Sequence, residues 1–215
     1  SLIAHPLNPR VPAAHMNTRM LVTSEAWFGG GGDLTPLLAY QRDQSFEDTV
    51  DFHAAMRAAC DTHPAADYAQ MKDYCETYFH LPHRNEPRGT GGIFYDRLSA
   101  KSDTHFQQIL DFSLEIGRLF PRVYSYFMQK NSKIPFGSEE KAWQNLRRGR
   151  YVEFNLVWDS GTKFGLDTNG RTESILMSMP VRIEPDLYQR AKKELDKRPF
   201  GTQVDQNATG HEWLN

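Results

Sequence analysis

An α+β layered domain with antiparallel strands is the fold class this sequence predicts. Helix-period and strand-period stretches occupy separate runs of the chain. Strict alternation of apolar strands with helices is missing, which argues against a parallel sheet. Two runs of period two, residues 151–158 and 163–168, flank Asp159-Ser160-Gly161-Thr162, which has the turn chemistry of a hairpin.

The elements follow in order. Residues 15–23 alternate short polar and apolar side chains after two prolines have ended any helix, and read as a strand. In Trp27-Phe28-Gly29-Gly30-Gly31-Gly32-Asp33-Leu34-Thr35-Pro36, four consecutive glycines precede one carboxylate. Glycine is the residue that loses most freedom on folding, and a flexible linker is rarely framed by apolar residues on both sides. The run is therefore expected to be a buried, shaped loop that aims Asp33. Over residues 46–63, Phe46, Val50, His53, Met56 or Arg57, and Cys60 recur at helical steps. A second helix is expected over 65–79, then a Pro- and Gly-rich loop over 80–92 and a short strand over 93–96. A long helical pattern runs over 104–130, with Pro121 breaking or bending it. A helix capped by Ser138 follows, and residues 174–179 read as a further strand.

At 215 residues the chain is long enough for one substantial core, so a single domain over 1–215 is expected. A net charge of −2 offers no global attraction to nucleic acid or anionic lipid, and no run is long enough to span a membrane. Cys60 and Cys75 read as free thiols of a reducing compartment, with the cytoplasm as the default. The chain lacks an initiator Met and a signal peptide at Ser1, and is read as part of a longer protein.

Arginines stand beside glycines at several separate places: Arg84, Arg88 before Gly89, Arg147 to Arg150 around Gly149, and Arg171 after Gly170. Such sites present planar forks and backbone N–H groups to carboxylates or phosphates. The alternative is that they are solvated or pair with Glu86, Glu153 and Glu173. His5, His15, His53 and His83 lie in loops, on a strand or on a helix's inner face, without zinc-type spacing. His53 reads as a hydrogen-bonded core residue. His15 is the better acid–base candidate, because strand alternation puts it on one face with Asn17 and Arg19. Signatures of serine or cysteine nucleophiles are missing, as is a dinucleotide-binding glycine pattern.

Six stretches together resemble one family. They are His5-Pro6-Leu7-Asn8-Pro9, His15-Met16-Asn17-Thr18-Arg19, the glycine run through Pro36, the segment 83–96, the segment 147–156, and the segment 170–180. In this order they resemble oxygen-dependent coproporphyrinogen III oxidase. After Pro180 the sequence departs from the family pattern, although Glu212-Trp213-Leu214 is similar to its usual ending. The family also has residues ahead of the position of Ser1.

The resemblance implies a large, flat antiparallel sheet covered by helices on both faces, and a homodimer. It implies oxidative decarboxylation of two propionates of coproporphyrinogen III to vinyl groups with O2, giving protoporphyrinogen IX, CO2 and H2O2. His15 would be a proton donor. Ser1, Asn17, Thr18, Arg19, Asn169, Gly170 and Arg171 would contact substrate, and Arg84 and Arg88 are further propionate-binding candidates. Asp33 is expected near the pyrrole nitrogens, with residues 29–32 as a wall free of side chains. No organic cofactor is expected. A divalent cation at His5, His15, His53 and His83 is possible within the family, but an obligatory metal is not favoured. Cytoplasmic location is expected, or mitochondrial for a eukaryotic member. The competing readings are a non-catalytic tetrapyrrole carrier and a His-metal hydrolase of a small anion.

Overall fold

Period-two sequence makes the first sheet. In the computed structural model, which describes residues 1–182, it contains β1 (Leu2–Ala4), β2 (Ala13–Val22), β3 (Ala26–Thr35) and, further on, β6 (Gly91–Ser99). Their spatial order is β1-β2-β3-β6, and every pairing is antiparallel. Between β3 and β6 lie α1 (Glu47–Asp61), α2 (Tyr68–Tyr78) and a small ribbon of β4 (His80–Leu81) with β5 (Glu86–Pro87). After β6 comes α3 (Asp103–Asn131). These elements belong to one of two compact units, Ser1–Lys141, the other being Ala142–Asn215.

The glycine run is the middle of β3, a correction to the shaped loop expected there. Glycine has low strand propensity because it offers no side chain to pack. Here packing by the neighbours is what demands it. A Cβ on Gly32 would lie 2.8 Å from Phe120 Cδ2 of α3, so the helix rests directly on the strand backbone. Alternation then sends Phe28 and Leu34 into the same layer as Gly30 and Gly32. They join Ile93, Tyr95, Phe52, Met56, Ile109, Phe112, Ile116 and Phe127 in one buried core with α1 and α3.

The other face receives α2. Its Met71 belongs to the core cluster, while Tyr74 and Tyr78 pack on Phe94 of β6, ring centroids 5.3 and 4.8 Å apart. Helix starts follow the cap chemistry. Asp67 accepts the Gln70 N–H at 3.0 Å before α2, and Ser102 accepts the His105 N–H at 3.2 Å before α3. At the far end of α3, the Asn8 amide donates to the carbonyls of Asn131, Ser132 and Ile134 at 3.3, 3.1 and 2.9 Å. Pro121 does not break α3, which runs through it to Asn131.

Helix α4 (Ser138–Val157) starts at the end of the first unit and continues into the second, followed by α5 (Ser160–Asp167) and α6 (Thr172–Leu176). The hairpin expected over 151–168 is therefore helical, and so is the first half of the strand expected over 174–179. Two physical reasons account for this. Residues 147–149, 151–155 and 157 of α4 are all buried, so the second half of the helix has no exposed face and no 3.6-residue period to read. Asp159, taken as a turn residue, caps α5 by accepting the Thr162 N–H and hydroxyl at 2.7 and 2.8 Å. Among the described residues no helix is long and apolar enough to cross a membrane. The segment Glu212-Trp213-Leu214 lies outside the described residues.

Two glycines make opposite predictions. Gly32→Ala should destabilise the chain by about 1–3 kcal/mol, because the added methyl meets Phe120 in a packed core. Gly117→Ala in α3 should stabilise it by about 0.5–1 kcal/mol through helix propensity, its Cβ meeting only Thr18 Cγ2 at 3.9 Å. Urea unfolding curves of the two variants give the comparison.

Candidate functional site

The face of the sheet opposite the α1/α3 core carries the chemistry. On β2, alternation puts His15, Asn17 and Arg19 there, with Asp33, Gly31 and Gly29 directly across from them on β3. Ile3 of β1 pairs with His15, and Ser1 precedes Ile3 by two residues. The sequence pattern thus correctly placed His15, Asn17 and Arg19 together. Thr18 points the other way, toward α3. Only Gly29 and Gly31 of the glycine run belong to this face, so the expected wall of four glycines is a floor of two. Gly31 has φ of 147°, and a Cβ there would lie 2.2 Å from the Ile93 carbonyl oxygen.

Asp33 is the centre of one polar chain. Arg88 Nη2 donates to its Oδ2 at 2.5 Å, and His15 Nδ1 lies 3.4 Å from its Oδ1. On the far side of the imidazole, Ser1 Oγ is 3.3 Å from His15 Nε2. With Nδ1–H directed at the carboxylate, Nε2 is the atom turned toward Ser1 and the protein's exterior. Both side chains of the Asp33–Arg88 pair are buried, at 3% and 2% exposure. Burial alone pushes the Asp33 carboxyl up. The Arg88 charge and the hydrogen bond and charge of His15 outweigh it and hold Asp33 below the ordinary carboxylate value.

Several groups fix Arg88 in turn. Its guanidinium carbon lies 3.8 Å from the centre of the Phe79 ring, and its backbone N–H donates to the Phe79 carbonyl at 2.8 Å. Arg42 donates to the Arg88 carbonyl at 3.2 Å and to the Pro87 carbonyl at 2.9 Å, bracing the loop from outside. This geometry makes Arg88 the partner of Asp33 rather than a fork open to a propionate. Cys75 is buried nearby, and burial pushes its thiol well up, which keeps it a thiol.

A second pair lies across Gly29. Arg19 Nη2 donates to Asp96 Oδ1 at 2.6 Å and Nη1 donates to Asn17 Oδ1 at 3.0 Å. The guanidinium carbon is 5.9 Å from the Trp27 ring centre and 5.8 Å from that of Phe94. Asp96 was missed in the sequence. Its signal was strand alternation from Phe94 in the segment 93–96.

The remaining expected residues are elsewhere. Arg84 sits in a short 3-10 turn, Pro82–Arg84, between β4 and β5. In the second unit, Asn169 and Gly170 close α5. Asn169 is left-handed with φ of 56°, its N–H reaches the Leu166 carbonyl at 3.3 Å, and the Gly170 N–H reaches the Gly165 carbonyl at 2.8 Å. Arg171 follows as the N-cap residue of α6, with an 80% exposed side chain 3.8 Å from Glu173.

The four histidines named as a metal set do not gather. Among the described residues no group of three or more His, Cys, Asp or Glu side chains is placed to hold a metal ion. His15 is directed to Asp33 and Ser1. His53 is a core histidine, as its helical neighbours suggested. Its Nε2–H donates to the Thr90 carbonyl and its Nδ1 accepts from the Tyr68 hydroxyl, both at 2.9 Å, which uses both ring nitrogens. Burial holds His53 below the ordinary histidine value and so in the neutral form.

Comparison with known proteins bears on most of the chain. Residues 1–204 match the family described as coproporphyrinogen III oxidase. Proteins named oxygen-dependent coproporphyrinogen-III oxidase from Rickettsia africae (strain ESF-5) and Rickettsia peacockii (strain Rustic) are each 47% identical over 184 residues, 86% of this chain. The protein of the same name from Rickettsia akari (strain Hartford) is 46% identical over the same length. In each case the chain spans 63% of the relative's own length.

The Asp33–Arg88 pair sets a pH signature. Because the folded Asp33 pKa is depressed, its contribution to stability is present above the unfolded value and is lost as pH falls through the folded one. Arg88→Met leaves a buried carboxylate without its cation and should destabilise the chain by about 3–5 kcal/mol at pH 7. The penalty should shrink toward pH 4, where Asp33 is relieved by protonation. Equal penalties at both pH values in urea unfolding would assign the loss to packing instead of charge.

Proposed function

The chain belongs to the coproporphyrinogen III oxidase family, and from that membership we propose that it takes part in the oxygen-dependent decarboxylation of coproporphyrinogen III. In each of two rounds, a propionate loses CO2 from its terminal carbon and a hydrogen with its bonding pair from the carbon next to the ring. A vinyl group forms, and O2 takes up the electron pair with two protons to give H2O2. One of those protons comes from the broken C–H bond in net terms. The other balances the carboxylate's charge and must be supplied, so each round consumes one proton. The reduced macrocycle is itself electron-rich and acts as the electron donor, so the reading calls for no organic cofactor.

The observation that carries this reading is the chain Ser1–His15–Asp33–Arg88 at the edge of a glycine floor. The floor at Gly29 and Gly31 is low because Gly29 lets the Arg19–Asp96 pair lie against the strand backbone and Gly31 lets β6 approach closely, which suits a flat, bulky ligand laid over that pair. His15 suits proton delivery, with Nε2 outward and Nδ1 fixed by a carboxylate that Arg88 keeps ionised. On this reading Asp33 is first a positioning residue for His15. Ser1, Asn17 and Arg19 line the same face and are the substrate contacts it favours. Asn169, Gly170 and Arg171 stay as substrate-contact candidates on the resemblance, with Arg171 as a propionate clamp, and Arg84 stays as a further propionate-binding candidate.

Incubation with freshly reduced coproporphyrinogen III under air should give protoporphyrinogen IX with CO2 and H2O2 in twofold amount, and no product without O2. His15→Gln should lower turnover by roughly 100- to 10,000-fold, the usual range for a general acid. Unchanged turnover in that variant would remove His15 from proton transfer. Retention of porphyrin binding without any product from the unmodified chain would overturn the catalytic reading in favour of a carrier.

A further inference from the structure

Arg19 already holds a carboxylate of the protein's own. Asp96 Oδ1 lies 2.6 Å from its Nη2, and the Asp96 side chain is only 6% exposed, whereas that of Arg19 is 34% exposed. The guanidinium therefore has a closed side on Asp96 and an open side. Asn17 and the rings of Trp27 and Phe94 hold it in place. A Cβ on Gly29 would come within 2.6 Å of Arg19 Nε and 2.8 Å of Asp96 Oδ1, so the pair lies directly over the glycine floor.

The backbone is shaped to put Asp96 there. Pairing of β3 with β6 shifts register between Phe28 and Gly30: Phe28 faces Leu98 while Gly30 faces Tyr95. Asp96 and Arg97 thus stand opposite the single residue Gly29, a β-bulge with Arg97 in the left-handed region at φ of 48°. The bulge leaves Asp96 on the floor and returns Leu98 to the core beside Phe28. A left-handed non-glycine residue is strained, and it persists where surrounding contacts hold it, here at the carboxylate beside Arg19.

We propose that Asp96 is the resident counter-ion of Arg19, standing in for a ligand carboxylate so that the guanidinium keeps a partner when that carboxylate is consumed. The inference rests on the reading that the ligand is a tetrapyrrole whose propionates become vinyl groups. An arginine with no other anion would hold the tetra-acid far more tightly than the product and would lose its only partner at each decarboxylation. With Asp96 in place, Arg19 orients a propionate on its open side yet discriminates little between acid and vinyl. Product release is then not opposed by an orphaned cation.

The test compares coproporphyrin III, with four carboxylates, and protoporphyrin IX, with two, as probes titrated by quenching of tryptophan emission. In Asp96→Asn the ratio of tetra-acid to di-acid affinity should rise about tenfold, since Arg19 then pairs with ligand alone. The same change made in an Arg19→Met background should leave the ratio where Arg19→Met alone put it. A ratio that is unchanged or lower in D96N, or that shifts equally without Arg19, overturns the proposal while leaving the functional reading intact. Failure of the unmodified chain to bind either porphyrin overturns the functional reading and this inference with it. Should D96N not fold, Asp96→Ser removes the charge with a smaller side chain and carries the same expectation.

Discussion

A carboxylate removed from water and kept ionised is the constraint on which the first unit is arranged. Asp33 is buried in the central strand β3, and its cation comes from Arg88, 55 residues further along the chain. Neither partner is tolerable alone there, since an unpaired buried charge costs far more than a surface ion pair contributes. The loop before β6 must therefore bring Arg88 back to β3. Phe79 stacks on its guanidinium, Arg42 holds the consecutive carbonyls of Pro87 and Arg88, and the Thr90 N–H bonds the Leu34 carbonyl at 2.9 Å. Loop, strand and α2 are joined through one charge.

The same strand explains why one sequence feature serves both structure and site. Alternation divides the glycines into two pairs with different neighbours. Gly30 and Gly32 let Tyr95 and Phe120 approach the backbone from the core side, while on the opposite side Gly29 makes room for the Arg19–Asp96 pair and Gly31 for the Ile93 carbonyl of β6. A helix packed onto bare backbone is rigid support for the floor on the other side. The precision of the polar chain thus depends on α3 as much as on the residues that form it.

How much of this was legible follows from the range over which each cause acts. Helices α1 and α3 each bury one face, and residues 46–63 and 104–130 matched Glu47–Asp61 and Asp103–Asn131 within a few residues. Strand β2 and the shared face of His15, Asn17 and Arg19 came from a local period. The glycine strand was hidden because its reason for being glycine, Phe120, is far away in sequence. The first half of α4 was read as a helix from Ser138, but its second half was hidden because burial on all sides erases the pattern that marks a helix. The pairings Asp33–Arg88 and Arg19–Asp96 were equally out of reach. Each residue but Asp96 was singled out, but nothing local says which cation meets which carboxylate.

Those two pairs together give the floor a particular electrostatic character. Each guanidinium is matched by a carboxylate, so their charges cancel in pairs. Such a surface does not capture a polyanion by excess positive charge. It offers instead directed donors and acceptors at fixed points. On the proposed reading this suits a ligand whose net charge falls as it reacts. A strongly cationic cleft would favour the substrate over every later species, and interactions that bind substrate and transition state alike do not speed the chemical step. A floor whose arginines are already paired keeps nearly the same affinity as carboxylates disappear. The polar chain that ends at His15 is then free to act through proton transfer, the one requirement that recurs unchanged in each round.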